Sequence, residues 1–206
     1  MTIRIALTGS IGMGKSTTAQ MFRDVGAMVW DADEAVHRLY EPGGEGTKAI
    51  SKIAPTAVTD QGVDRIQLRS AILADAALLK EIEAAIHPLV GKDRASAIET
   101  ATAQDYGVVV LDIPLLFETG APAGYDAIVV ASADAETQRQ RVLERPGMTV
   151  EAFEGILAKQ TPDVEKRSKA DFIIDTGNGL DQARAQVAEI MAWADKKLQA
   201  KGHSNA

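Results

Sequence analysis

The stretch Gly9-Ser10-Ile11-Gly12-Met13-Gly14-Lys15-Ser16 constrains this chain more than any other. It fits the pattern G-x-x-x-x-G-K-[ST], which demands a strand before it and a helix after it. Both are legible. Ile3-Arg4-Ile5-Ala6-Leu7 reads as a strand, and Thr17 to Val25 reads as a helix with Ala19, Phe22 and Val25 on one face and Gly26 as its stop. The glycines let the backbone adopt conformations closed to side chains, so that successive N–H groups converge on one anion. Lys15 adds a mobile point charge for β- and γ-phosphates, and the Ser16 hydroxyl suits Mg²⁺. The helix that starts here contributes its positive end. The pattern therefore implies a bound nucleoside triphosphate, with Gly9, Ile11, Gly12, Met13, Gly14, Lys15, Ser16 and Thr17 as candidate contacts.

Composition narrows the class. A chain of 206 residues with 46% hydrophobic and 25% charged residues is expected to be one large domain, or a core with one insertion. A net charge of −7 leaves no basic stripe for broad nucleic-acid binding. The absence of cysteine excludes disulfides, thiolate metal sites and a cysteine nucleophile, and three scattered histidines do not make a zinc site. No apolar run has membrane-spanning length and no secretion signal precedes the first strand, so the expected location is the cytoplasm.

Along the chain, Ala27-Met28-Val29-Trp30 is a second predicted strand delivering Asp31 and Asp33. Ligands of open α/β sheets gather at the carboxyl ends of strands. Asp33 fits two roles there: contact with a substrate hydroxyl, or capping of a helix from Glu34 to Tyr40. From Glu41 to about Gln104 the periodicity is helical, no strand is expected, and Pro88 is expected to break or kink the run. His87 is either an acceptor contact or a structural histidine. Gly107 to Asp112 is a continuous apolar strand ending in an acid, and Asp112 matches the carboxylate position that holds Mg²⁺ together with Ser16. In the loop that follows, Leu115 and Phe117 suit a flat ring, with core packing as the alternative for the leucines. Asp126–Ala131 and Phe172–Asp175 are further strands. The helix between them carries Arg139, Arg141 and Arg145 before Pro146-Gly147, which reads either as a lid clamping phosphates or as a solvated face. The loop Thr176-Gly177-Asn178-Gly179 is placed to border adenine. A helix from Leu180 to Leu198 ends the chain, with 201–206 expected to fray.

Several motifs together are similar to those of the dephospho-coenzyme A kinase family. They are Leu7-Thr8-Gly9-Ser10-Ile11-Gly12 with Gly14-Lys15-Ser16-Thr17; Asp31-Ala32-Asp33 with His37 and Leu39-Tyr40; and Ile86-His87-Pro88-Leu89-Val90. Asp112 to Glu118, then Glu136, Gln138, Arg141 and Arg145, Gln160, Glu165-Lys166-Arg167 and Ala170-Asp171 complete them. The resemblance implies an α/β, three-layer P-loop kinase fold with a five-stranded parallel sheet. It implies a core over 1–34 and 105–200, a lid near 142–165, and a helical acceptor domain over 35–104. It further implies phosphoryl transfer from ATP, with Mg²⁺, to the 3′-hydroxyl of dephospho-coenzyme A. Asp33 would orient or deprotonate that hydroxyl, and Arg141 would neutralise phosphate charge. His87, Leu115 and Phe117 would face the acceptor, and Asn178 the nucleotide.

The chain departs from that pattern at a few positions. Gly91-Lys92 stands where an arginine is usual, Pro146-Gly147 replaces an acidic-Gly pair, Thr161 replaces a frequent methionine, and Thr176-Gly177-Asn178 replaces Asn-Ser-Gly. The nearest alternative is a nucleoside or nucleoside-monophosphate kinase on the same scaffold, for which Arg65, Arg69 and Arg94 supply basic groups in the insertion. A GTPase switch is disfavoured by the lack of Asn-Lys-x-Asp and Asp-x-x-Gly motifs.

Overall fold

The computed structural model describes residues 1–120 and 124–203. In chain order the elements are β1 (Ile3–Thr8), α1 (Lys15–Asp24), β2 (Met28–Asp31), α2 (Ala32–Leu39) and α3 (Glu45–Ile53). A 3-10 turn at Pro55–Ala57 leads into β3 (Val58–Thr59), β4 (Gly62–Val63), α4 (Arg65–Ala74) and α5 (Ala77–Ala103). Then come β5 (Val108–Asp112), β6 (Ala127–Ser132), α6 (Ala135–Leu143), α7 (Val150–Leu157), α8 (Asp163–Ser168), β7 (Phe172–Asp175) and α9 (Leu180–His203). Two compact units result: Met1–Trp30 with the chain from Ile98 onward, and Asp31–Ala97.

The first unit is built on a five-stranded sheet in the order β2-β5-β1-β6-β7. β1 lies between β5 and β6 and runs parallel to both, with Ile5 opposite Val110 on one side and Ala127 on the other; β7 continues parallel to β6. The continuous apolar run of β5 predicted a parallel strand covered on both faces, which has no polar side. Ile3, Ile5, Leu7, Val108, Val110, Val129 and Ile174 share one core with Ala19, Met21 and Phe22 of α1 and Ala183, Val187, Ile190 and Ala194 of α9. Residues of the other parity, Ala6, Val109, Leu111 and Val130, are buried as well, which makes the unit three-layered. Phe172 meets Trp193 edge-on, with ring centroids 5.1 Å apart. Val25 is the exception on the α1 face. The helix ends at Asp24, and Gly26 at φ 91° turns the chain, so Val25 is left exposed. At the other end of the chain, α9 continues through 201–203 where fraying was expected, while 204–206 lie outside the described residues.

The second unit gathers Ile50, Ala54, Ala57, Leu68, Ile82 and Ile86 into its own core. One expectation fails here. A short hairpin, β3 with β4, pairs Val58 with Val63 and Thr59 with Gly62 across the Thr59-Asp60-Gln61-Gly62 turn. Pro88 does not break α5. Proline removes one intrahelical bond, while Ile82 and Ile86 before it and Leu89 and Val90 after it all pack into the same core and keep the helix continuous. Asp64 caps α4 by accepting from the N–H groups of Ile66 and Gln67; those bonds hold its carboxyl below its ordinary value.

Candidate active site

The phosphate loop leaves the carboxyl end of β1 in the middle of the sheet. Gly12 and Gly14 both sit at φ 78°, a left-handed conformation that L side chains rarely adopt. Space excludes a side chain as well. A Cβ on Gly12 would lie 2.5 Å from Val142 Cγ2, and one on Gly14 would lie 3.0 Å from Thr176 Cβ. The loop is therefore pressed against α6 on one side and the turn after β7 on the other.

Side chains from distant parts of the chain frame it. Gln160 Oε1 accepts from the Ile11 N–H at 3.0 Å, and Gln138 Nε2 donates to the Ile11 carbonyl at 2.7 Å. Thr176 Oγ1 donates to the Met13 carbonyl at 3.0 Å. Met13 Sδ accepts from the Ala133 N–H, which anchors the buried Met13 side chain at the start of the β6–α6 connection. Lys15 Nζ reaches Asp112 Oδ1 at 2.5 Å, and the Asp112 side chain is only 1% exposed. The parallel register explains that meeting, since Leu7 at the end of β1 stands opposite Asp112 at the end of β5.

The other sequence candidates of this unit fall as follows. Ser16 and Thr17 are exposed in the first turn of α1. Arg141, in the last turn of α6, donates from Nη1 to Thr176 Oγ1 at 3.0 Å and from Nη2 to the Thr176 carbonyl at 2.7 Å. One threonine therefore ties the guanidinium to the phosphate loop. Leu115 is exposed and Leu116 is fully buried, so core packing accounts for Leu116 and not for Leu115. Phe117 is half-buried, with Lys169 Nζ 5.5 Å from its ring centroid. Asn178 is exposed and donates to Asp175 Oδ2 at 2.8 Å.

Asp33 and His87 belong to the second unit. Asp31, not Asp33, is the cap of α2: its Oδ1 accepts from the Asp33 N–H at 2.7 Å and from the Glu34 N–H at 3.0 Å. The Asp33 side chain is exposed in the first turn of α2, and His87 is exposed on α5 just before Pro88. Among the described residues no group of three or more His, Cys, Asp or Glu is arranged to hold a metal. The Ser16 and Asp112 oxygens nevertheless suit a hard cation that takes most of its ligands from phosphates and water. Gln138 and Gln160 are framing residues that local pattern did not single out and only their places in the motifs above marked; Thr176 was expected in the loop bordering adenine, and its bond to the Met13 carbonyl was not foreseen.

A family model described as dephospho-CoA kinase matches residues 3–182. The chain belongs to the dephospho-CoA kinase family. It is similar to the dephospho-CoA kinase of Mesorhizobium japonicum, 54% identical over 189 residues that cover 92% of this chain and 95% of that one. It is also similar to that of Ruegeria pomeroyi, 52% identical over 191 residues, covering 93% and 95%. Among solved structures, one from Thermus thermophilus aligns with a TM-score of 0.79 at 30% identity, covering 93% of this chain and 96% of that one. The dephospho-CoA kinase of Campylobacter jejuni shares the fold, with a TM-score of 0.61 at 23% identity over 93% and 96%. Membership of the dephospho-CoA kinase family makes this chain a P-loop kinase, and the five-stranded sheet with its framed phosphate loop is the fold that the name requires.

Proposed function

We propose that this chain transfers the γ-phosphoryl group of ATP to the 3′-hydroxyl of dephospho-coenzyme A, yielding coenzyme A and ADP. One observation carries the reading: a phosphate loop braced on three sides, with Lys15 held on Asp112, in a chain half identical to named dephospho-CoA kinases. In the reaction the 3′-oxygen attacks the γ-phosphorus, the bond to the β–γ bridging oxygen breaks, and the hydroxyl proton leaves toward the Asp33 carboxylate. Such a transition state asks mainly for position and charge stabilisation.

The residues divide that work. The N–H groups of the loop between Gly9 and Thr17, other than those of Ile11 and Met13, cradle phosphate oxygens, Lys15 follows the developing negative charge, and Arg141 adds a second cation from α6. Mg²⁺, held by Ser16 and Asp112, supplies further charge neutralisation when bound. Asp33 is released for the acceptor because Asp31 has taken the capping role. The segment near 142–165 acts as the lid whose closure limits ATP hydrolysis by water. The second unit receives the acceptor, with His87 among its contacts, and Leu115 and Phe117 pack on a ring of the substrate. Asn178 borders the nucleotide. The partners are small molecules, and the reaction belongs in the cytoplasm.

The test is coupled ADP release with Mg²⁺-ATP, offering dephospho-coenzyme A, AMP and CMP side by side and weighing the product. ADP release that depends on dephospho-coenzyme A, with a product heavier by one phosphoryl group, is expected. Release driven instead by AMP or CMP would replace this acceptor with a nucleoside monophosphate.

A further inference from the structure

Ile11 is held through both of its main-chain groups by residues that lie at opposite ends of one segment. Gln138 precedes the candidate lid on α6, and Gln160 stands close to its end, between α7 and α8. The contacts have opposite polarity. Gln160 must accept, because an N–H faces it, whereas Gln138 must donate, because a carbonyl faces it. Gln138 is 6% exposed, so its partner cannot readily be replaced by bulk water.

The geometry fixes more than Ile11. In a trans peptide the carbonyl and the following N–H point to opposite sides of the chain. Seating the Ile11 carbonyl on Gln138 therefore turns the Gly12 N–H away from α6. The glycine at φ 78° leaves that peptide intrinsically freer to rotate than its neighbours. Only an external bond selects one of its orientations. The same reasoning applies one peptide earlier, where Gln160 takes the Ile11 N–H and the Ser10 carbonyl is left to accept from the Met13 N–H at 3.2 Å.

We propose that Gln138 and Gln160 are positioning residues that set the peptide orientations of the phosphate loop before ATP arrives. This rests on the ATP-binding reading above. It assigns the pair to nucleotide affinity rather than to the acceptor, and it carries a polarity rule that chain packing alone would not impose on ATP binding.

The experiment compares Gln138→Met, Gln138→Glu, Gln160→Met and Gln160→Glu in the full chain. ATP affinity is read by calorimetry, and the KM of dephospho-coenzyme A is read at saturating ATP. Each Met variant is expected to weaken ATP binding about five- to tenfold, the scale of one lost hydrogen bond. Glu at 160 still accepts and restores affinity to within about threefold of wild type, while Glu at 138 meets a carbonyl with a carboxylate and binds no better than Met. Both Glu variants add the same charge on either side of one residue, so charge alone does not separate them. The acceptor KM stays within about twofold throughout. Equal affinity in all four variants, or the same deficit in both Glu variants, overturns the assignment. If Gln138→Glu is not recovered folded, the Gln160 pair decides: rescue by Glu sustains the proposal and absence of rescue ends it. A wild-type protein that binds ATP without phosphorylating dephospho-coenzyme A would sink the acceptor reading and leave this comparison intact; one that binds no ATP overturns both.

Discussion

Lys166 and Glu118 form an ion pair inside the first unit, with Nζ 2.7 Å from Oε1 and the lysine fully buried. The same carboxylate oxygen accepts from the Thr161 N–H at 2.8 Å. Glu118 thus joins the turn after β5 to the stretch that leads from Gln160 into α8. Burial pushes its carboxyl toward protonation, but the bonds from Lys166 and Thr161 outweigh this and hold it below its ordinary value.

Removing one member of a buried pair leaves the other uncompensated, which costs about 3–5 kcal/mol. Glu118→Gln is therefore expected to lower stability by that amount at pH 7. Because the folded carboxyl has the lower pKa, its contribution is full above the unfolded value of about 4.3 and fades as pH falls through the folded value. Urea unfolding of wild type and variant at neutral pH and near pH 3.5 should show the gap narrowing on acidification. A gap that stays constant would mean that the ion pair is not its source.

Lys15→Ala is expected to reduce turnover by at least about 10³-fold, since it removes the cation proposed to follow the charge on the transferring group. It also leaves the buried Asp112 without this partner, so a loss of about 1–3 kcal/mol should accompany it, with the fold retained. Steady-state rates together with circular dichroism check both. Wild-type turnover in this variant would remove the phosphate-loop assignment.

The two aspartates after β2 separate by what each mutation changes. Asp31→Ala deletes the α2 cap and should cost about 1 kcal/mol of stability. Asp33→Asn should lower kcat by about 10²–10⁴-fold, the range of general base catalysis, with ATP affinity and thermal midpoint close to wild type. Loss of stability rather than of kcat in Asp33→Asn would return that residue to a structural role.

Thr176→Val removes the hydroxyl that receives Arg141 Nη1 and donates to the Met13 carbonyl, while the backbone bond from Arg141 Nη2 survives. A loss of about three- to tenfold in kcat/KM for ATP is expected. Kinetics with varied ATP would test it, and an effect confined to the acceptor KM would contradict the bracing role.

What was legible in the sequence follows from range. β1, β5 and β6 announce themselves as buried apolar runs and β7 as a short apolar one, and the glycines, Lys15 and Ser16 sit in one short stretch, so local pattern reached them. The β3–β4 hairpin did not show, because two-residue strands have no period; only its turn did. Pro88 does not end the helix, because the packing of Ile86 and Leu89 on either side keeps it continuous. Whether Asp31 or Asp33 caps α2 depends on where β2 stops, and helix boundaries read from sequence drift by one or two residues. Gln138 and Gln160 contact Ile11 from 127 and 149 residues away, a distance at which no periodicity operates.

The two glutamines tie both ends of the chain between them to one residue. Within that segment Arg141 is bonded to Thr176, and Val142 and Phe153 are buried. Gly147, at φ 77° with open space beside it, marks the point farthest from such constraint. Doubling the length of a flexible loop costs only about 0.6 kcal/mol in closure entropy. An insertion at Pro146-Gly147 is thus expected to leave the phosphate loop unaltered.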